Sequence, residues 1–205
     1  MADNHARAAA PAFDLVARLL AADGVATHPF HARLLERRVP ARDLSDAVHG
    51  LCAVHGHHPD LIGIVAGEVP DAWVTSFAAE RAALARLVVA AGPLPSTPGQ
   101  ASAQAALAAG RHALEMLARS ERAGVGLGAA AALLLDWRAV RAVLDAAADR
   151  FGVTCAPTSL PDPDTVAAAL AGAGERAVAF GAQQLFAQHR GLFGLLEARA
   201  SARDA

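Results

Sequence analysis

Alanine accounts for 55 of the 205 residues, and this abundance constrains the possible folds more than any other feature of the sequence. Alanine has the highest helix propensity, because it loses no side-chain rotamer entropy when a helix forms. Glycine and proline punctuate the sequence, and no stretch shows the two-residue alternation of a half-buried strand. We therefore predict an all-α fold, a single compact multi-helix bundle of about six to eight helices.

Proline, glycine and capping residues set the expected helix boundaries. Thr27 and Thr97 are candidate N-caps of the second and sixth helices, and Asp162 or Asp164 is a candidate cap of the last helical region. That region is spotted with glycine, so we expect it to be bent or broken. The expected helices span about residues 11–23, 27–39, 41–55, 61–65, 71–91 and 97–122, then a segment ending near 151 and a region beginning near 162.

The length of the chain suits one domain with its own core. We expect residues 1–10 to form a flexible N-terminal tail and residues 11–200 to form the single helical domain. Asp3 and Asp14 interrupt the apolar stretch that a signal peptide would need. The longest uncharged apolar run, residues 123–135, is shorter than the roughly 20 residues that cross a bilayer.

Charge and cysteine content narrow the cellular setting and the partners. The formal net charge is -2, and the basic side chains are all arginine, which argues against a nucleic-acid-binding protein. Cys52 and Cys155 lie far apart and give no disulfide framework. We therefore expect a cytoplasmic protein that binds neither membranes nor nucleic acid.

Titratable residues from four predicted helices fall on apolar faces when each helix is drawn at 100° per residue. They are His55, Glu80, Glu121 and Asp136. A buried charge is costly unless it is paired or bound to a metal, so one interpretation is a site for iron, manganese or zinc. Helical bundles build such sites from inward carboxylates and histidines.

Buried ion pairs with nearby arginines are the other interpretation of the same residues. The candidate partners are Arg81, Arg111 and Arg122. The Glu-x-x-His pairs that are typical of di-iron bundles do not occur, and Glu121 lies close to a helix end. These two observations favour ion pairs over a metal.

A dense group of histidine, cysteine and aspartate occupies the segment DAVHGLCAVHGHHPD. Its members are Asp46, His49, Cys52, His55, His57, His58 and Asp60. These are ligand types that suit zinc or iron, but residues three apart spiral round a helix and cannot all face one ion. The alternative interpretation is a solvated turn at His57 and His58, with Asp60 capping a short following helix.

The segment Gly124-Val-Gly126-Leu-Gly128 superficially resembles a phosphate-binding loop. Such a loop follows a strand, whereas the preceding residues here are predicted to be helical. Small residues at Gly124, Gly128 and Ala132 instead favour the close approach of two helices or a bend in one helix.

The segment from Ser120 to Gly152 resembles an uncharacterised all-helical family of alphaproteobacterial proteins. The similarity lies in the elements ERxxxxLGAAxAL, LDWRAxR and LDAAA, which begin at Glu121, Leu135 and Leu144. That family has no assigned activity, so the resemblance implies a helical fold and a bacterial origin and assigns no functional residue.

No complete catalytic motif is present, so we expect a non-enzymatic protein that acts through protein interaction, with a homo-oligomer or another protein as partner. The alternative is a ferritin-like or haem-oxygenase-like metal or haem protein that uses the inward histidine and carboxylates. A third hypothesis is a metal-free ligand pocket between the helices. Its lining would be Trp73, Phe77, Met116 and Trp137.

Overall fold

A computed structural model of the protein describes residues 11–204. Within that range the chain forms nine α-helices, a single turn of 3₁₀ helix and no strand, which confirms the all-α prediction. The number of helices exceeds the expected six to eight because the last predicted helical region forms two helices, Pro163–Ala169 and Glu175–Asp204. The predicted N-terminal tail, residues 1–10, lies outside the described residues.

The helices follow one another with short connections. They are α1 (Pro11–Asp23), α2 (Pro29–Leu34), α3 (Ala41–His55), α4 (Leu61–Ile64), α5 (Asp71–Ala91), α6 (Gln100–Ala118), α7 (Val125–Phe151), α8 (Pro163–Ala169) and α9 (Glu175–Asp204), with the 3₁₀ turn Val25–Thr27 between α1 and α2. Helices α1, α3 and α5 begin and end at the predicted residues, where proline, glycine or aspartate mark the boundary.

Three capping predictions can be compared with the structure. Asp162 caps α8 as predicted, because its Oδ1 accepts from the backbone N–H of Thr165 at 2.7 Å. Thr27 and Thr97 do not cap α2 and α6, so these two predictions were wrong. The ring of His28 caps α2, and α6 begins after Gly99, whose φ of 72° is readily adopted only by glycine.

Helix α7 lies at the centre of the bundle and packs against α3, α5, α6 and α9. The segment Ala129–Leu134 is buried on all sides, and farther along the helix Trp137, Val140 and Leu144 are buried as well. A helix that is apolar all round must be surrounded by other helices. The alanines of α7 therefore line close helix–helix contacts.

Helices α7 and α9 cross at two glycines, Gly128 and Gly181. A Cβ added to Gly128 would lie 2.2 Å from the carbonyl oxygen of Val178, and one added to Gly181 would lie 2.1 Å from that of Val125. Either distance is far inside van der Waals contact, so only glycine permits the crossing. This confirms the prediction that small residues near Gly128 allow two helices to approach closely.

The last helical region is broken once, between α8 and α9, and then continues as one helix of 30 residues. This confirms the expectation that the glycine-spotted region is bent or broken, and the break lies at Gly172 and Gly174, whereas the helix continues through Gly181, Gly191 and Gly194. Gly181 lies against α7, and packing on α1 and α7 along its length supports the helix through its other glycines.

We predict that Gly181→Ala lowers the free energy of unfolding by about 3 kcal/mol or more, because the added methyl group would overlap the α7 backbone. Gly110→Ala is the matched control, since its Cβ would lie 3.7 Å from Gln188 Oε1, an ordinary contact. It should gain about 0.5–1 kcal/mol from the better helix propensity of alanine. Urea unfolding of both variants measures the difference, and equal effects would contradict the proposed crossing.

Candidate functional site

Three of the four residues predicted on inward faces are buried, and two of them belong to one hydrogen-bonded chain. Asp136 on α7, His189 on α9 and His55 on α3 lie in a row, each no more than 2% exposed. Nδ1 of His189 lies 2.7 Å from Asp136 Oδ2, and Nε2 of His189 lies 3.1 Å from Nε2 of His55. This Asp136–His189–His55 chain connects the three helices.

At the Asp136 end of this hydrogen-bonded row, both carboxylate oxygens have a donor. A carboxylate only accepts, so Nδ1 of His189 donates to Asp136, whose other oxygen accepts from the backbone N–H of Val25 at 2.9 Å. One of the two Nε2 atoms then donates to the other. The pKa of His55 is well below its usual range, because burial disfavours the charged ring and His189 lies beside it.

Glu80 on α5 belongs to a second buried group, whose main partner is Arg141 on α7. The Arg141 guanidinium donates to Glu80 Oε1 at 3.0 Å, the indole N–H of Trp137 donates to Oε2 at 3.2 Å, and the Thr158 hydroxyl donates to Oε1 at 2.8 Å. Burial opposes the charge of Arg141, but hydrogen bonds and charges from Asp145 and Glu80 raise its pKa overall. The ion-pair interpretation therefore holds for Glu80, with a partner that the sequence analysis did not name.

The four candidate metal ligands do not come together. Trp137 lies between His55 and Glu80, with its ring centroid 5.1 Å from that of His55. The expectation that Glu121 points inward was wrong, because it lies exposed in the turn after α6. Among residues 11–204 no group of three or more His, Cys, Asp or Glu side chains is placed to hold a metal ion.

The histidine-rich segment is divided among several separate contacts. His49 lies 2.8 Å from the Gly92 carbonyl oxygen, His57 accepts from Arg111, and His58 is exposed. Asp60 caps α4 by accepting from the backbone N–H of Gly63 at 2.8 Å, as predicted, and also pairs with Arg81. Burial raises the pKa of the Cys52 thiol, which makes its reactive thiolate scarce at neutral pH.

A third buried polar group, which was not among the predicted contacts, joins the end of α9 to the start of α3. Arg199 donates to both oxygens of Asp46, at 3.0 and 2.9 Å, and Arg203 donates to Asp43 and Asp46 at 2.9 and 2.7 Å. The arginines lie four apart on one helix and the aspartates three apart on another, which is the spacing of one face. Two arginines on one face of a helix and two aspartates on one face of another are a pattern in the sequence that could have predicted these ion pairs.

The hypothesis of a pocket lined by aromatic residues was also wrong. Trp73, Phe77 and Trp137 have no exposed surface and form part of the core, whereas Met116 lies 56% exposed on α6. Leu35 and Val89 are exposed apolar side chains elsewhere, and Met116 and Phe180 are exposed on the neighbouring helices α6 and α9.

Antiparallel α6 and α9 present an exposed face with no charged side chain, which we call the α6–α9 face. Its residues are Ser102, Ala105, Ala106, Ala109, Ala113 and Met116 on α6 and Phe180, Gln184, Ala187, Gln188, Gly191 and Leu195 on α9, all exposed or half-buried. No charged residue lies between Arg86 and Arg111 in the sequence. Protein surfaces usually carry charge on about a quarter to a third of their residues, so this face is exceptional.

Charged side chains border the α6–α9 face on its outer flanks. On α6, Arg111 and Glu115 lie on the flank away from α9, where Arg111 donates to His57. On α9, Arg190 lies on the flank away from α6 and donates to the Thr27 hydroxyl at 3.0 Å. The uncharged surface is therefore a bounded strip along the two helices.

Two adjoining depressions run along the strip. One of about 450 Å³ lies between Leu107, Gly110 and Gly191, and one of about 640 Å³ lies beside Met116 and Phe180. Ala113 and Gln188 line both, so the two form one continuous groove. The first depression is lined mainly by Ala, Gly and Leu, which admits the closely approaching backbone of a helix. The second also contains Arg119, Glu121 and Arg122, so charge borders the groove at its Met116 end.

Comparison with known proteins places the chain in a family. The model of DUF6975, a family of unknown function, matches residues 20–204. The chain belongs to this family. The expectation of a family without an assigned activity is thus confirmed, while the alphaproteobacterial origin stays a prediction.

No curated protein and no solved structure matches the chain significantly. Among the described residues, no helix is both long enough and apolar enough to cross a membrane. Because the family has no known function and no characterised protein matches, the comparisons supply no catalytic residue, ligand or partner for this chain.

We predict that Glu80→Ala lowers the free energy of unfolding by about 3–5 kcal/mol, because it leaves Arg141 without its buried carboxylate partner. Asp145→Ala is the matched control, since Asp145 pairs with the same arginine but is 54% exposed. It should change stability by no more than about 0.5 kcal/mol. Denaturant unfolding at neutral pH measures both, and similar losses would show that the buried pair is not the stabilising one.

We predict that the protein loses stability as the pH falls below about 6.5, partly through His55. The unfolded chain binds a proton on this ring near its ordinary pKa, whereas the folded chain binds it only well below. The slope from this group is at most about 1.4 kcal/mol per pH unit. The charged and titratable groups around the ring are His189 on one side and His57, Asp60, Arg111 and Glu115 around a cavity of about 10 Å³ on the other.

Urea unfolding between about pH 7.5 and 5 checks this prediction. In His55→Gln the part of the slope that comes from His55 should vanish. His112→Gln removes a histidine whose side chain is 71% exposed and should leave the slope unchanged. A wild-type slope in the His55→Gln variant would show that other groups cause the acid sensitivity.

Proposed function

We propose that the protein is a non-catalytic helical-bundle protein that acts by binding another protein surface through the α6–α9 face. The observation that carries this proposal is the exposure of a long groove that is lined by uncharged side chains from Leu195 to Ala113 and reaches charged residues only at its Met116 end. The centres of protein–protein interfaces are depleted of charged residues in the same way. Exposed apolar patches on otherwise polar proteins commonly mark such interaction sites.

The side chains of the groove suit a helical partner. Met116 and Phe180, 56% and 45% exposed, stand at one end as large apolar groups that the core does not use. Methionine and aromatic residues are enriched at interfaces, and the flexible thioether adapts to the shape of a partner. Between these two residues and Leu195, the groove is lined mainly by small side chains. An apolar helix could therefore lie along the groove with its own side chains in the depressions.

The buried polar groups support a structural role for the interior. Asp136, His189 and Glu80 each use their hydrogen-bonding atoms on neighbours from other helices, so they stabilise the bundle. Cys52 and Cys155 are both unbridged, which suits the reducing cytoplasm that we propose as the location.

The proposal is tested by site-specific photo-crosslinking in cells. A benzophenone amino acid at Ala109, in the groove, should give a discrete adduct with a partner chain, because the reactive ketone would lie at the interface. The same amino acid at Ala82, exposed on α5, should give none. Electrophoresis and mass spectrometry of the adduct identify the partner.

A second substitution shows whether the adduct depends on the face. Phe180→Glu should abolish the adduct formed from Ala109, since it places a charge at the far end of the same groove. Asp145→Ala, a change elsewhere on the surface, should leave it intact. Absence of an adduct at Ala109, or an adduct that persists in Phe180→Glu, would overturn the proposal.

A further inference from the structure

We infer that the partner at the α6–α9 face is a second copy of this chain, packed face to face about a two-fold axis. This inference rests on the proposed function, since it names the occupant of the same surface. Most soluble oligomers are homo-oligomers, and two-fold dimers are the commonest of them. Four properties of the face suit a second copy, and the first and third of them favour it over an unrelated partner.

The first property is the lack of charge among the residues of the face, which meets charged side chains only on its flanks and at its Met116 end. Interfaces between unlike proteins usually contain charged groups that complement the partner and steer its approach. The interfaces of homodimers are more apolar and need no such steering. The twelve residues that define the face are all alanine, glycine, serine, glutamine, leucine, methionine or phenylalanine.

The second property is the glycine at position 191. Gly191 lies near the middle of α9, exposed, and a Cβ added there would meet no atom of the chain within 4 Å. Glycine is less favourable than alanine inside a helix, and the fold itself gives no reason for it here. The close approach of another backbone would explain this glycine, just as Gly181, nearer the start of the same helix, permits the approach of α7.

The third property is that the face complements itself. Met116 and Phe180 protrude at one end, and the depression beside Gly191 lies about 16 Å away, since α9 rises about 1.5 Å per residue from Phe180. A two-fold axis that crosses α9 between Gln184 and Ala187 would bring the protruding pair of each copy over the depression of the other. The contact is then isologous, and every large exposed group of the face meets a hollow.

The fourth property is the size of the face. The strip is about 22 Å long from Phe180 to Leu195 and about 20 Å wide across two helices, or roughly 440 Å² of flat outline per copy. Two copies together give roughly 900 Å², and the relief of the side chains adds to this. Specific interfaces begin at about 1,000 Å², so the face suits a dimer that dissociates on dilution.

Sedimentation velocity from about 1 to 100 μM measures the self-association directly. We expect the mass to rise from 20.9 kDa towards that of two chains as the concentration increases. Ala109→Glu should weaken association at least about tenfold, because each copy then buries an unpaired carboxylate. The matched control Ala82→Glu makes the same exposed change on α5 and should associate like the wild type.

Trapping across the two-fold axis tests the geometry without relying on a weakened variant. In a chain with Cys52→Ser and Cys155→Ser, Ala187→Cys should form a disulfide between two copies, because residues near the axis meet their own counterparts. Ala82→Cys should not. Circular dichroism confirms that each variant is folded.

Three outcomes overturn the inference. The first is a single-chain mass at every concentration, the second is unchanged association in Ala109→Glu, and the third is a failure of Ala187→Cys to cross-link. If the photo-crosslinker at Ala109 still captures a different chain in a face-dependent manner, the proposed function stands and only the second copy is refuted. If no adduct forms at Ala109 either, both fail.

Discussion

The close contact of α7 and α9 is the interaction on which the rest of the structure depends. At one end Gly128 and Gly181 let the two backbones meet, and farther along Asp136 bonds to His189 across the same interface. The glycine contact sets the distance and angle of the helices, and only at that spacing does the buried carboxylate reach its imidazole. Shape and charge are satisfied by one arrangement, which makes alternative packings of these alanine-rich helices unfavourable.

Helix α7 also explains how an apolar bundle accommodates charge. It carries Asp136 towards α9 and Arg141 towards Glu80 on α5, so one helix supplies a charged partner to two of its neighbours. A lone charge at either place would be prohibitive, whereas the paired groups with their added hydrogen bonds are tolerated and specify which helix lies where. The Arg199 and Arg203 pairs with Asp43 and Asp46 do the same for the end of α9. Polar contacts thus fix the order of helices whose apolar surfaces are too uniform to do so.

Local signals explain which features could be predicted from the sequence. Pro11, Ala41 and Asp71 begin helices at or immediately after a proline, a signal that acts within one or two residues, and those boundaries agree with the structure. The inward faces of His55, Glu80 and Asp136 followed from helical periodicity alone. Their partners did not, because His189 and Arg141 are brought near by helix crossings that periodicity does not encode. The prediction for Glu121 was wrong for a local reason: α6 ends before this residue, so helical periodicity does not give its direction.

The same alanine content that builds the core also shapes the proposed interface. In α7 the alanines are buried, and their small size lets the neighbouring helices pack close to the α7 backbone. In α6 the same residue type faces outward from Ser102 to Ala109, where it gives neither the charge that keeps a surface hydrated nor the bulk that would fill the groove. A helix with this composition is stable because α3, α7 and α9 hold its inner side, yet its outer side resembles the inside of the bundle. Two such outer sides, one from each copy, would repeat between molecules the small-residue packing that joins α7 to α9 within one.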